Sequence, residues 1–366
     1  ESSSGVSIYD ESGNQYSEIA YTDTTMLYDI LPPSIDSISI PIDSFIVLME
    51  STPITFGFNE KVDSLDFVVS SKALDSVKFD FIRGDSSLSV MLKPPFASHD
   101  SITINFSYLE DKAGLSTVDI AYTYTTPILG DYDFDSKITY NDLWDLVENW
   151  EMKNFNYELG PVSGQVPHFI SIPDSKFDIE DGMAFVQIWS WYQKEYGQIV
   201  EDTVMIGKPL NIAQLGNELS IFIDDSIASG QIQFSNNHID SRLRFSTKSY
   251  DGAMYLSHQN PEKGYSILEF ARPKSMAKDT IHVTADEESK LKIYYKFYGR
   301  DKKEIQRGHT SFKYNTIPTT LDLYPAYPNP FNSITTLQFD IPHLENTEKV
   351  SLSIFDLMGR EIDMLI

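Results

Sequence analysis

The sequence predicts a mainly β protein in which β-sandwiches follow one another along the chain, with a small α-helical module between them. Three observations predict this fold class. Runs of β-favouring residues recur about every ten residues, separated by turn residues. A segment of 16 residues is repeated 101 residues further on. An acidic loop is followed by apolar residues at helical spacing, which predict two short helices. One predicted face has Leu143, Leu146, Val147 and Trp150, and the other has Met183, Val186, Ile188 and Trp189.

The composition limits the classes of partner. The 366 residues include 28 Lys and Arg against 54 Asp and Glu, a formal charge of −26 that repels nucleic acid. Cysteine is absent, which excludes disulfides and thiolate metal sites. No stretch approaches the roughly 18 apolar residues of a membrane span. The first residues do not resemble a signal peptide, so we expect the C-terminal stretch of a longer protein.

The internal repeat gives the length of one module. Residues 10–25 and 111–126 are identical at 8 of 16 positions. Their offset of 101 residues is the length of one immunoglobulin-sized sandwich. We therefore expect residues 1–31 to be the end of a preceding repeat and residues 32–127 to form one module of about seven strands.

Two short motifs connect this module with a known family. Phe58-Asn59-Glu60 lies early in the module, and the Asp-x-Ala-Gly turn at 111–114 precedes its last strand. In these motifs residues 32–127 resemble the bacterial Ig-like family, and the resemblance implies the fold alone.

The next segment contains a loop with the ligand spacing of a calcium site. Calcium prefers six to eight oxygen ligands, and alternate positions of a tight loop point inward. Oxygen-bearing side chains occupy positions 1, 3, 5, 9 and 12 here, and a backbone carbonyl would fill position 7. The predicted Ca²⁺ ligands are Asp131, Asp133, Asp135, the Lys137 carbonyl, Thr139 and Asp142.

A second unit follows with the same pattern in part. Its aspartates align with positions 5, 9 and 12 of the first loop: Asp174 with Asp135, Asp178 with Thr139, and Asp181 with Asp142. Positions 1 and 3 are occupied by Ile170 and Ile172, which have no side-chain oxygen. Residues 128–200 resemble the dockerins, which hold two such loop-helix units, and the long insertion at 151–169 separates the units here. We expect one strong calcium site and a second that is degenerate or completed differently, with an acidic turn as the alternative for the second.

The tryptophans all lie in or beside the two expected helices. They are Trp144, Trp150, Trp189 and Trp191. Core packing explains them, because a small helical pair needs large side chains to bury enough area. The alternative is a sugar-stacking platform, which would require two exposed rings side by side.

Strand patterns return after about residue 200. Residues 201–316 resemble the cohesin or carbohydrate-binding type of β-sandwich, mainly through residues 226–235. The resemblance implies a partner-binding module that contacts the dockerin-like module in the same chain or in another chain. A polysaccharide is the other partner that it implies.

The last segment, 317–366, resembles the type IX secretion (Por) C-terminal sorting domain. The motifs are residues 327–342, which begin Tyr-Pro-Asn-Pro-Phe-Asn, and residues 350–362, which contain Phe-Asp-x-x-Gly-Arg. Gly359 fits the turn of a hairpin. The family's later strands are missing, so we expect a truncated domain. The resemblance implies the type IX secretion machinery as partner and an extracellular or outer-membrane-attached location in a Gram-negative-type bacterium.

No catalytic motif is visible. The histidines are scattered at 99, 168, 238, 258, 282, 309 and 343, without a zinc motif or nucleophile elbow. We therefore expect a non-catalytic region that is stabilised by calcium and supplies stalk or interaction modules and an export signal. The alternative is the accessory tail of a secreted glycoside hydrolase or protease whose catalytic domain lies upstream.

Overall fold

The computed structural model describes most of the chain as two compact units. The described residues are 12, 16–20, 25–42, 44–199, 204–236, 242–247, 252–273, 278–285, 288–316, 318, 320–330, 332–342 and 350–365. For residues 16–20 and 25–28 only the backbone is described. The first unit is Glu1–Gln198 with Asp251–His258 and Glu269–Ser275, and the second is Ile199–Tyr250 with Gln259–Leu268 and Met276–Ile366.

The first unit begins with an antiparallel hairpin and a sandwich. The hairpin strands are β1 (Tyr16–Ala20) and β2 (Thr25–Asp29). Seven described strands follow: β3 (Ile35–Ile38), β4 (Thr52–Phe58), β5 (Ser64–Ser71), β6 (Lys78–Arg83), β7 (Ser87–Lys93), β8 (Ser101–Glu110) and β9 (Ser116–Thr125). They form a four-stranded sheet in the order β3-β4-β7-β6 and a three-stranded sheet in the order β5-β8-β9.

Alternating apolar residues of these two sheets build one core. Phe56 of β4 and Phe106 of β8 are both fully buried, and their ring centroids lie 5.1 Å apart. Apolar side chains at every second position explain this burial, because successive residues of a strand point to opposite faces. The described residues of this segment therefore contain seven strands in two packed sheets, as expected for a sandwich, and the module bounds 32–127 stay a prediction.

Two α-helices follow in the same unit. Helix α1 (Tyr140–Met152) precedes a small hairpin of β10 (Val162–Ser163) and β11 (Ile170–Ser171), and α2 (Ile179–Tyr196) follows the hairpin. The insertion between them also contains a 3₁₀ turn, Phe155–Tyr157.

The helical spacing predicted one buried face correctly and the other in part. Leu143, Leu146 and Val147 of α1 are buried as expected, and Trp150 of the same predicted face is half-buried. On α2 the expected Met183 and Val186 are exposed, whereas the residues that fill the core are Ala184, Phe185, Ile188 and Trp189. That part of the prediction is wrong, because the apolar residues of α2 are spread around the helix and do not define a single stripe.

A further set of strands forms two more sheets. Their bounds are β12 (Ile212–Leu215), β13 (Glu218–Ile223), β14 (Ser229–Asn236), β15 (Leu243–Ser246), β16 (Met254–Asn260), β17 (Tyr265–Ala271), β18 (Asp279–Ala285), β19 (Ser289–Tyr298) and β20 (Glu304–Tyr314). The strand orders are β12-β13-β18-β15 and β16-β17-β14-β19-β20. Phe234 of β14 and Phe245 of β15 bring the two sheets together, with ring centroids 5.4 Å apart.

The terminal segment contains two short antiparallel pairs. They are β21 (Asp322–Leu323) with β22 (Phe339–Asp340), and β23 (Ser353–Phe355) with β24 (Glu361–Met364). Gly359 has φ +79 in the turn of the second pair, as the sequence predicted. Asp356 closes this turn by accepting hydrogen bonds from the backbone N–H groups of Met358 and Arg360 at 2.8 and 2.9 Å.

The mainly β fold class is confirmed, with two α-helices in the described part of the chain. The division into five segments, 1–31, 32–127, 128–200, 201–316 and 317–366, stays a prediction. Among the described residues, no helix has the length and apolar character needed to cross a bilayer.

Candidate metal centre

The first acidic loop brings three of its predicted ligands together. Asp131, Asp133 and Asp142 each place one carboxylate oxygen within 4.8 Å of the other two. Asp131 and Asp142 are buried, with 4% and 1% of their surface exposed, and Asp133 is exposed. The loop therefore gathers three carboxylates at the start of α1, with two of them removed from water.

Backbone hydrogen bonds hold this loop in shape. Asp142 Oδ1 accepts from the N–H of Tyr132 at 2.9 Å, and its Oδ2 accepts from the N–H of Thr139 at 2.8 Å. Asp131 Oδ2 accepts from the N–H of Ser136 at 3.0 Å. Asp142 therefore joins the beginning of the loop to the beginning of α1, and it forms a capping box with Thr139.

One oxygen in the loop is left without a donor. Asp131 Oδ1 is buried and has no hydrogen-bond partner among the described residues. A buried carboxylate oxygen without a donor is costly, because nothing replaces the water that it has lost. A divalent cation between the three carboxylates would supply the missing partner.

The raised pKa values of two carboxylates in this loop also favour a bound cation. Burial raises the pKa of Asp142 to about 8, against the opposing effect of the hydrogen bonds from Thr139 and Tyr132, and the charges of Asp133 and Asp131 raise it further. Burial also raises the pKa of Asp131 to about 6, together with the charges of Asp133 and Asp135. Ionising the carboxylates together is therefore unfavourable unless a cation binds between them.

The other predicted ligands of this loop have different contacts. Asp135 Oδ1 accepts from the N–H of Lys137 at 2.8 Å, and its Oδ2 lies 3.8 Å from Lys137 Nζ. Thr139 Oγ1 accepts from the N–H of Asn141 at 3.2 Å as the N-cap of α1. The roles of Asp135, the Lys137 carbonyl and Thr139 as ligands stay predictions.

The second loop uses its acidic residues mainly to bind backbone. Asp181 Oδ1 accepts from the N–H groups of Leu159 and Gly160, both at 2.8 Å, and its Oδ2 accepts from the N–H of Asp178 at 2.8 Å. Asp178 caps α2. Asp174 forms an ion pair with Lys176. In the part of the chain that the structure describes, Asp174, Asp178 and Asp181 do not converge as the first set does.

Sequence reasoning missed the residue that completes the second loop. Glu158, which is buried, accepts from the N–H of Asp174 and from the N–H of Ser175 at 2.9 Å. Glu158 therefore has the same role in the second loop as Asp131, at position 1, has in the first loop, since each accepts from the N–H of the serine in its loop. Glu158 belongs to the insertion, before the hairpin, and not to the loop itself. No spacing rule finds such a residue, because its distance along the chain is set by the length of the insertion.

A cavity lies beside this centre in the first unit. Its volume is about 570 Å³, and its lining includes Lys72, His99, His168, Trp191 and Tyr196. The rings of His99 and His168 are stacked with centroids 6.3 Å apart, and the centroid of Trp191 lies 5.3 Å from that of His99. Burial, then the charges of His168 and Lys72, lower the pKa of His99.

The cavity joins two histidines that the sequence separates by almost 70 residues. His99 also has a positive φ of +52, which is uncommon for residues other than glycine and often marks a functional site. Of the remaining histidines, 238 and 343 lie outside the described residues.

Two tryptophans lie in the core, one lines the cavity, and Trp150 is half-buried against Phe177. Trp144 and Trp189 are 2% exposed, which confirms core packing for these two. Trp191 is half-buried beside Tyr192 and Tyr196, with ring centroids 6.4 and 5.6 Å from its own.

Comparison with known families identifies the terminal segment. Residues 325–365 match the family model described as "Secretion system C-terminal sorting domain". This match confirms the sorting domain expected in the last segment, and it indicates export through type IX secretion to the cell surface or the extracellular space. The comparison with curated proteins finds no match.

The solved structures that resemble the chain do so weakly. The D00-D0 domain of intimin is 11% identical, with a TM-score of 0.22 over 75% of this chain and 98% of that one. The S-layer protein rSbsC is 10% identical, with a TM-score of 0.19 over 92% and 59%. An α-L-rhamnosidase of Streptomyces avermitilis is 10% identical, with a TM-score of 0.21 over 77% and 24%. TM-scores of this size do not establish a shared fold.

Proposed function

We propose that this chain is a non-catalytic, calcium-stabilised part of an exported surface protein, in which β-sandwich modules act as stalk and interaction units. The observation that carries the proposal is the convergence of Asp131, Asp133 and Asp142 around the unpartnered oxygen of Asp131. Ca²⁺ fits this site, because hard carboxylate oxygens are its preferred ligands and no sulfur or imidazole is present in the cluster.

The position of the loop supports a structural role for the cation. The loop follows directly on the sandwich, whose last strand β9 ends at Thr125, and it leads directly into α1. Ser98 joins the sandwich to this region, since its Oγ accepts from the N–H of Leu129 at 2.8 Å and its N–H donates to the carbonyl of Phe169 at 2.8 Å. A cation bound here would fix the helices to the sandwich and stiffen the junction.

A buried contact supports the proposed cohesin-dockerin-like pairing within the chain. Trp189 Nε1 on α2 donates to Glu269 Oε2 at 2.7 Å, and the Trp189 ring packs edge-on against His258 at 6.2 Å. Trp189 belongs to the proposed dockerin-like module, and the other two residues belong to the proposed cohesin-like sandwich. All three lie in the first compact unit.

The cavity of His99 and Trp191 supports a polysaccharide as the external partner. Half-buried aromatic rings beside polar groups are the usual means of binding a sugar ring, since one face is apolar and the edge carries hydroxyl groups. The same observation favours the second candidate, an accessory tail that holds a secreted hydrolase on its substrate.

Calorimetric titration of the purified chain with CaCl₂ tests the main proposal. We expect binding to the unchanged chain, and we expect Asp133→Ala to lose one calcium equivalent together with the calcium-dependent rise in melting temperature. Asp145→Ala is the matched control on α1, outside the carboxylate cluster. The proposal fails if Asp133→Ala changes neither the bound calcium nor the melting temperature, because the loop would then be an acidic turn.

A further inference from the structure

A second group of carboxylates converges at the junction between the hairpin β1-β2 and the first sandwich. Asp29, Glu60 and Asp111 each offer a carboxylate oxygen within 4.8 Å of the other two. Asp29 ends β2, Glu60 lies just after β4, and Asp111 directly follows β8. Three separate elements therefore direct negative charge to one point, which like charges do not do unless something between them compensates.

Two of these carboxylates are removed from water. Glu60 is 4% exposed and Asp111 is 3% exposed. Asp111 Oδ1 accepts from the backbone N–H of Leu115 at 2.9 Å, whereas Asp111 Oδ2 is buried with no hydrogen-bond partner among the described residues. A buried carboxylate oxygen without a donor is rare in folded proteins, and a bound ion or an ordered water is its usual partner. Asp131 Oδ1 in the first acidic loop is likewise buried with no hydrogen-bond partner among the described residues.

Two basic side chains of the sandwich have contacts of their own: Lys61, which follows Glu60 in the sequence, and Arg83, which ends β6. Lys61 Nζ lies 3.6 Å from Asp85 Oδ2. Arg83 Nη2 donates to the carbonyl oxygens of Val62 and Asp63 at 2.7 and 2.5 Å. These contacts direct both cations toward other acceptors, so they do not account for the convergence of the carboxylates.

We propose that Asp29, Glu60 and Asp111 bind a second calcium ion, at the junction between the hairpin and the sandwich. Three carboxylates supply the charge and the hard oxygen ligands that Ca²⁺ prefers, and backbone carbonyls and water would complete its six to eight ligands. The set contains no histidine and the chain has no cysteine, which argues against zinc or copper.

The cation would join two elements that the chain connects only through a short linker. Asp29 belongs to the hairpin β1-β2, whereas Glu60 and Asp111 belong to the sandwich. The linker is already held nearby, since the N–H of Ser34 donates to Asn59 Oδ1 at 2.7 Å and Thr117 Oγ1 donates to the carbonyl of Pro33 at 2.6 Å. A bound cation at this point would make the junction rigid, as a cation bound at Asp131 would do at the other end of the sandwich.

The test is the calcium stoichiometry of the full chain and of four variants, measured by equilibrium dialysis with CaCl₂. Asp111→Asn keeps the acceptor for Leu115 and removes one negative charge. We expect it to bind one calcium equivalent fewer than the unchanged chain. Asp133→Asn removes the other equivalent, and the double variant removes both. Asp119→Asn, an exposed aspartate of β9 with φ +58 that asparagine tolerates, should bind as much calcium as the unchanged chain.

The outcomes separate the two sites. If Asp111→Asn binds as much calcium as the unchanged chain, the second site does not exist, whatever Asp133→Asn does. If Asp133→Asn has no effect while Asp111→Asn loses one equivalent, the second site stands and the loop site fails. Should Asp111→Asn fold poorly, Asp29→Asn replaces it, because Asp29 is only half-buried at the end of a hairpin. Unchanged calcium binding by Asp29→Asn overturns the proposal equally.

Discussion

The Glu158 carboxylate accepts a hydrogen bond from the backbone N–H of Ser175 at 2.9 Å, and this contact repeats the one between Asp131 and Ser136 at 3.0 Å. Both serines have φ +65, so the two loops share the same left-handed turn. The two loop-helix units are therefore alike in backbone and in capping, although the carboxylate at the first position comes from different parts of the chain.

We predict that Glu158 is required for the stability of the second loop. Glu158→Gln removes the charge from a buried acceptor of two backbone N–H groups, and hydrogen bonds to charged groups contribute about 1.5–3 kcal/mol each. We expect the free energy of unfolding to fall by about 1–2 kcal/mol, since the glutamine carbonyl still accepts. Urea unfolding followed by tryptophan fluorescence measures this change.

Glu180→Gln is the matched control for that experiment. Glu180 is an exposed carboxylate in the first turn of α2, so its replacement should change the free energy of unfolding by only about 0.5 kcal/mol or less. Equal effects of the two substitutions would mean that the Ser175 contact contributes nothing particular to the loop.

The sequence predicted the sandwich and the first loop because both depend on local spacing. Alternation placed Phe56 and Phe106 in the core, and the positions of Asp131, Asp133 and Asp142 follow a fixed loop geometry. The hairpin at Gly359 was predicted for the same reason, since a tight turn with positive φ requires glycine.

Contacts between distant segments were not predictable from the sequence. Glu158 reaches the second loop from an insertion, and His99 meets His168 only because the folded chain brings two loops together. The sequence did draw attention to two residues of the second carboxylate group, since Glu60 and Asp111 lie in the two motifs of the Ig-like resemblance. Their convergence with Asp29 depends on the fold, so spacing alone assigned them no chemical role.

We predict opposite pH dependences with and without calcium. The pKa of Asp142 is raised to about 8 in the folded, metal-free chain, above its usual value near 4. A raised pKa of an acid stabilises the fold below the unfolded pKa, and this stabilisation is lost as the pH rises toward the folded pKa. In EDTA the melting temperature should therefore fall between pH ~5 and pH ~8.

Calcium should reverse that trend, because it binds the ionised carboxylates. The rise in melting temperature on adding CaCl₂ should increase from pH ~5 to pH ~8, and Asp142→Asn should reduce this increase. Differential scanning calorimetry in EDTA and in CaCl₂ measures both trends. A calcium effect that is independent of pH would contradict the role of Asp142.

We predict that Trp189 and Glu269 are energetically coupled. Trp189→Phe keeps most of the ring but removes the N–H donor from a fully buried carboxylate, which should cost about 1.5–3 kcal/mol. A double-mutant cycle with Glu269→Gln should give a coupling energy of about 1 kcal/mol or more. Additive effects would contradict the coupling, and Trp191→Phe serves as a control on the same helix.

We predict that Trp191 contributes to binding of a polysaccharide at the cavity. Removing a stacking ring should weaken binding by about 1–2 kcal/mol, since aromatic side chains contribute much of the energy of such sites. Affinity electrophoresis of the full chain in gels that contain different neutral and acidic polysaccharides measures the retardation. Trp191→Ala should strongly reduce the retardation, whereas Phe81→Ala, which removes an exposed ring of β6 that does not line the cavity, should leave it unchanged. Equal mobility of the unchanged chain in every gel contradicts the prediction.

The last prediction concerns export. The terminal domain of the intact protein, which begins at residue 317, should carry a passive reporter out of a bacterium that has type IX secretion when it is fused whole. Gly359 is the sensitive position, because its φ of +79 is strained for most residues with a Cβ atom, although no neighbouring atom lies within 4 Å of the place of that Cβ. Gly359→Val should therefore distort the hairpin and reduce the secreted fraction, whereas Gly359→Asn should keep export, since asparagine tolerates a left-handed conformation. Immunoblots of medium, surface and periplasm measure the distribution. A reporter that stays in the periplasm, in cells that still secrete their own type IX substrates, would contradict the sorting role.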